Sequence, residues 1–153
     1  MCGISGIMHK KSETQGLAPI GIDLVKMLDS LAHRGRDSTG FTVAGQDVRE
    51  DLIVRIWTDD ENPSGVAARA REAVEQRGGV VVSSQSWDGF HRMTVNYEDE
   101  VRVLAEALID IDGVRIHSIG ESSETVKDVG TAAEMDRKHG VSEIRGTHGI
   151  GHV

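Results

Sequence analysis

Apolar positions change their period several times along this chain, and each change predicts an element. Residues 2–8 carry Ile4 and Ile7 among small residues and predict a short buried strand. Gln15 to Pro19 predicts a loop. Ile20, Leu24, Met27, Leu28 and Leu31 then recur at helical spacing. That helix is expected over 20–33, with its end near Arg34-Gly35, because glycine is a natural helix stop. Residues 39–44 predict a second strand, and Gly45 to Asp51 a polar connection.

The middle of the chain has its own rhythm. Leu52 to Thr58 predicts a strand. Asn62-Pro63-Ser64 predicts a helix start, with Val66, Ala67, Ala70, Ala73 and Val74 on one side and a stop at Gly78-Gly79. Val80 to Ser86 predicts a strand, and Asp88-Gly89 a two-residue hairpin turn. On the return strand His91, Met93, Val95 and Tyr97 alternate with Arg92, Thr94 and Asn96, so the two sets face opposite ways. A helix carrying Val101, Leu104, Ala105, Leu108 and Ile109 follows, then a strand over Val114 to Ile119. The order β-α-β-β-α-β is the ferredoxin-like split pattern. Residues 52–120 are therefore expected to form a self-contained insertion. Residues 121–143 read as a polar linker with a modest helix near 125–138 that stops at Gly140. Residues 144–153 return to glycine-rich text.

Composition narrows the classes. A length of 153 residues suits one small domain, or one plus part of another. The net charge of −8 is spread along the chain and argues against a nucleic-acid surface, which would be basic. With 3% aromatic residues the core must be aliphatic. One cysteine excludes a disulfide within this chain and a Cys-based zinc cage. No segment approaches the roughly 18 apolar residues of a membrane span, and the start lacks a signal-peptide layout. A soluble, cytoplasmic protein is expected.

Three stretches could carry chemistry. The lone cysteine is Cys2, in "MCGISGI". If Met1 is removed, Cys2 becomes a terminal residue holding a thiol nucleophile and a base. Its α-amine, with an ordinary pKa of about 7.7–8.0, can take the thiol proton. The blander reading is a small strand residue, the usual fate of a lone cysteine. The second stretch, "LAHRGRDSTGF", is either a solvated turn or a glycine-permitted loop that brings Arg34 against the N-terminal strand. In the third, "GTHGIGHV", His148 and His152 stand four apart, the spacing of a helical metal pair. The glycines between them disfavour a helix, and no HExxH glutamate is present. No metal site is expected, and the full dinucleotide-binding glycine pattern is also missing.

Together the three stretches resemble the class II glutamine amidotransferases of the N-terminal nucleophile (Ntn) hydrolase superfamily. Members begin Met-Cys-Gly-Ile, carry His-Arg-Gly-x-Asp-x-x-Gly after the first helix, and have Gly-His-x-Arg on a later strand. The matching residues are Met1 to Ile4, His33 to Gly40, and Gly151-His152-Val153. The resemblance covers roughly residues 1–46 and 144–153.

The resemblance implies an α+β fold, a partial four-layer Ntn-hydrolase α-β-β-α sandwich interrupted by the ferredoxin-like unit. The implied divisions are 1–51 for the first part of the glutaminase domain, 52–120 for the insertion, 121–143 for the linker and 144–153 for the return. Cys2 is the implied nucleophile on the side-chain amide of L-glutamine, with Arg34, Gly35 and His152 as supporting or substrate-binding residues. No cofactor is implied. The partner is a synthase domain or subunit that receives ammonia. The substrate-binding arginine of Gly-His-x-Arg would follow Val153, and the family's oxyanion-hole Asn-Gly pair is not in this chain. The sequence is thus expected to be the front part of a longer protein, inactive alone. The long insertion resembles amidotransferase subunits of glutamate-synthase-like systems. Amidophosphoribosyltransferases resemble the terminal motifs but fit the insertion less well. A non-catalytic binding or regulatory protein built on the insertion is the alternative. Trp57 and Trp87 are its candidate anchors: exposure would favour a contact surface and burial would favour packing.

Overall fold

A computed structural model describes residues 2–10, 16–34, 37–45 and 51–153. They form an α+β protein with two antiparallel four-stranded sheets and four α-helices. The chain divides into two compact units, Met1–Gln46 with Thr125–Val153, and Asp47–Glu124.

The first unit contains β1 (Ile4–Met8), α1 (Ile20–Ser30) and β2 (Ser38–Ala44). Its strand order is β1-β8-β2-β7, where β7 is Ser123–Val129 and β8 is His148–His152. α1 buries Ile20, Leu24 and Leu28 against Phe41 and Val43 of β2 and Val126 of β7. Each such side chain taken fully from water contributes about 1.5–3 kcal/mol. The helix lies close because β8 turns glycines toward it. A Cβ at Gly149 would stand 2.8 Å from both Ile20 Cγ2 and Leu24 Cδ1, and one at Gly151 2.6 Å from Leu28 Cδ1.

The helix expected over 125–138 starts later, as α4 (Ala132–His139), and residues 123–129 are strand. The reason is local. Thr131 Oγ1 accepts from the Glu134 N–H and Glu134 Oε2 accepts from the Thr131 N–H, a reciprocal cap that fixes the helix start. At the other end Gly140 adopts the left-handed conformation (φ 61°). Similarly, α1 stops at Ser30, and residues 31–34 form turns.

The second unit runs β3 (Asp51–Thr58), α2 (Pro63–Gln76), β4 (Val80–Trp87), β5 (Phe90–Asn96), α3 (Val101–Ile109) and β6 (Val114–Gly120). Its sheet order is β4-β5-β3-β6. α2 starts where Asn62 Oδ1 accepts from the Gly65 N–H, with Pro63 in the first turn. The β4–β5 hairpin closes on Asp88 (φ 44°) and Gly89 (φ 78°), the positive-φ pair a tight turn requires. Both helices cover one sheet face. Ala70, Val74, Leu104 and Leu108 pack there on Leu52, Val54, Ile56, Met93 and Val95.

Candidate active site on the open face of the first sheet

Pleat alternation in β1 sends Ser5 and Ile7 toward the helices and Ile4, Gly6 and Met8 the other way. Gly3 belongs to the helix side, since a Cβ there would lie 3.2 Å from Leu31 Cβ. Cys2 therefore falls on the open face with Ile4, and it is an exposed free thiol.

The register assembles three parts of the sequence. Ile4 of β1 pairs with His152 of β8, and His152 pairs with Gly40 of β2. The next rows are Gly6, Ile150 and Thr42, then Met8, His148 and Ala44. Reciprocal hydrogen bonds between Gly3 and Val153, 2.8 and 2.9 Å long, carry the β1–β8 pairing one residue further. His152 lies over Gly40: a Cβ at that glycine would meet Nε2 of the imidazole at 2.5 Å. Gly40 is what leaves room for the half-buried ring at this position.

β8 is a strand, which settles the spacing of its two histidines. Four residues of strand separate their positions by about 13 Å, where a helix would stack them one turn apart. Among the described residues no cluster of three or more His, Cys, Asp or Glu could hold a metal ion.

The other expected site residues are less closely placed. Arg34 is exposed, in the turn after α1, and its N–H donates to the Leu31 carbonyl at 2.8 Å. Leu31 itself packs at Gly3, so the end of α1 lies against the N-terminal strand. Among the described residues no hydrogen bond or ion pair joins Arg34 to Cys2. Gly35 lies outside the described residues.

Trp57 and Trp87 in the second unit are both half-buried. The Arg115 guanidinium lies 5.1 Å from the Trp57 ring centre and that of Arg55 5.8 Å from Trp87. Sequence patterning missed a polar knot in the same unit. Glu124, 3% exposed, accepts from Arg55 Nε at 2.6 Å and from Arg92 Nε at 3.0 Å. Burial pulls the Arg55 pKa below its ordinary value, and the Glu124 carboxylate opposes that shift. The available signal was an arginine in the apolar run Leu52-Ile53-Val54-Arg55-Ile56, since a buried charge needs a partner.

No helix among the described residues is long and apolar enough to cross a membrane. The chain matches no protein-family profile. Two curated proteins are similar along its whole length. One, from Methanothermobacter thermautotrophicus, bears the name "Putative glutamine amidotransferase" and is 29% identical over 159 residues. The other, from Rhizobium meliloti, is "Glutamine amidotransferase-like protein GlxB", 29% identical over 164 residues. The chain spans about half the length of these relatives, 51% and 49%. Among solved structures, a complex of the chemotaxis kinase CheA P2 domain with CheY from Thermotoga maritima aligns with 62% of this chain and 99% of that one. It does so at 12% identity and a TM-score of 0.36, too low to bear on the fold. From end to end, then, this chain is similar to proteins named for glutamine amidotransfer.

Proposed function

We propose that the chain is the front part of a class II, Ntn-type glutamine amidotransferase, with Cys2 as the nucleophile once Met1 is removed. The observation that carries this reading is the row Ile4–His152–Gly40. It draws on the three stretches that resemble the family, although they lie far apart in sequence. The row stands on the same face as the exposed Cys2 thiol.

In the proposed reaction the α-amine of Cys2 takes the thiol proton, directly or through a water. The thiolate Sγ adds to the side-chain amide carbon of L-glutamine and forms a C–S bond. The C–N bond then breaks, and ammonia leaves with the proton it receives. A water molecule attacks the γ-glutamyl thioester, expels the thiolate and gives glutamate. Ammonia passes to a synthase domain or subunit. His152 and Arg34 support the loop and strand around Cys2.

The open sheet face supports the view that more chain belongs here. Ile4 is 70% exposed, Met8 76% and Ile150 53%, which makes an apolar face of the kind that normally meets another layer. The relatives are about twice as long as this chain. In the reading proposed, their additional length supplies the second sheet of an α-β-β-α sandwich and the oxyanion donors. Loss of one such donor typically costs about 10²–10³ in rate, so the isolated piece is expected to be inactive.

The test is glutamine hydrolysis by the full-length protein. Cys2→Ala is expected to abolish glutamate release and leave folding intact, as judged by an unchanged thermal midpoint. Persistent hydrolysis by a folded Cys2→Ala protein would show that the nucleophile lies elsewhere.

A further inference from the structure

The second unit holds a cleft of about 250 Å3 between α2 and the edge strand β4. On the pleat that faces α2, where a sheet ordinarily buries apolar side chains, β4 presents Ser84 and Ser86. Across from them α2 contributes Ser64 from its first turn, Ala67, and Arg71 one turn further on. Arg71 Nη2 donates to Ser84 Oγ at 2.7 Å. Among the described residues no carboxylate lines the cleft, although the chain has 25 acidic residues against 17 Lys and Arg. It is therefore a locally cationic, hydroxyl-rich recess on an acidic protein.

His91 supplies the second observation. It is the cross-strand partner of Ser86, lines the same cleft and is 4% exposed. Nδ1 lies 2.8 Å from Ser86 Oγ, and Nε2 is buried with no hydrogen-bond partner. Burial lowers the pKa of the ring. The nearby Pro63 carbonyl opposes that shift, without hydrogen-bond geometry to Nε2. A neutral imidazole with one nitrogen engaged leaves the other as a single donor or acceptor, depending on the direction of the Ser86 bond. An unpaired buried nitrogen is costly, and a bound water, ion or ligand beside it is one of the reasons such a group persists in a native structure.

We propose that this cleft is a binding site for a small molecule bearing one carboxylate or phosphate group. Arg71, Ser84 and Ser64 hold the oxyanion, and the exposed Ser86 hydroxyl, held by His91 Nδ1, meets a polar group at the ligand's other end. The volume suits a ligand the size of an amino acid. The site lies wholly in the second unit and does not depend on Cys2.

The experiment is methyl NMR of the full-length protein, with the Ala67 and Met93 methyls as reporters, since both line the cleft. Acetate and inorganic phosphate are titrated separately up to about 10 mM, a range that reads millimolar dissociation constants. Sodium chloride at matched ionic strength is the control. Saturable shifts at both methyls with either anion are expected, and the anion that binds better assigns the head group. Arg71→Gln is expected to weaken binding about tenfold, the effect of losing one charge-assisted pair. Arg71 and Ser84 are exposed, so both Arg71→Gln and Ser84→Ala should stay folded. Shifts absent with both anions, equal to those from chloride, or unchanged in both variants would overturn the proposal.

Discussion

Gly149 and His91 show how much single positions decide in this protein. A methyl group at Gly149 would meet Ile20 and Leu24 side chains at 2.8 Å and the Thr42 carbonyl oxygen at 2.9 Å. The side chains are fully buried and the carbonyl belongs to the neighbouring strand, so none can move aside freely. Gly149→Ala is expected to lose about 1–3 kcal/mol by overpacking. Urea unfolding reads this directly, and an unchanged midpoint would mean that α1 does not rest on β8 as described. His91 gives a pH signature. Burial holds its folded pKa below the ordinary value, so the unfolded chain takes up the proton more readily. The stability it contributes is present above its unfolded pKa of about 6.5 and is lost as pH falls below that value toward the lowered folded pKa. Stability measured from pH 7.5 to 5 should decline less steeply in His91→Gln than in the parent. Equal slopes would contradict a buried neutral His91.

Among the elements of the second unit, the Arg55–Glu124–Arg92 knot ties β3 and β5 to Glu124, the last residue of that unit. Glu124→Ala leaves two guanidiniums facing each other, one of them buried, and is expected to cost about 3–5 kcal/mol. A loss below about 1 kcal/mol, the scale of an exposed pair, would show that solvent reaches the knot. How far these elements were legible varies for physical reasons. α2, α3 and the β4–β5 hairpin were readable because cap, periodicity and turn chemistry agree: Asn62-Pro63, the Leu104–Leu108 face, and Asp88-Gly89. β7 was not, because a strand of mixed polar residues resembles a linker until its partner is known. The capping box Thr131-Ala-Ala-Glu134 was the available signal that α4 starts at Ala132. In the site, Cys2, Gly40 and His152 were legible as motif residues. Their shared row was not, because register is a property of paired strands. The His91 cleft was hidden for a similar reason. Ser84 and Ser86 lie in a strand whose sequence does not say which of its residues face α2; the bulge between Val81 and Ser83 and the cross-strand register decide that.

For the whole molecule, the two units divide the open questions. The first carries Cys2 and an apolar face formed by Ile4, Met8 and Ile150. The second carries its own core and the cleft, and its proposed ligand can be tested without reference to glutamine. The central claim is that Cys2, freed of Met1, attacks glutamine in the full-length protein. Intact-mass and peptide mass spectrometry after treatment with 6-diazo-5-oxo-L-norleucine, an electrophilic glutamine analogue, tests it most directly. The account predicts a protein lacking Met1 that gains one adduct, located on Cys2 and blocked by excess L-glutamine. A protein that retains Met1, or one whose free Cys2 stays unmodified while the thiol reacts with a general alkylating agent, would contradict it.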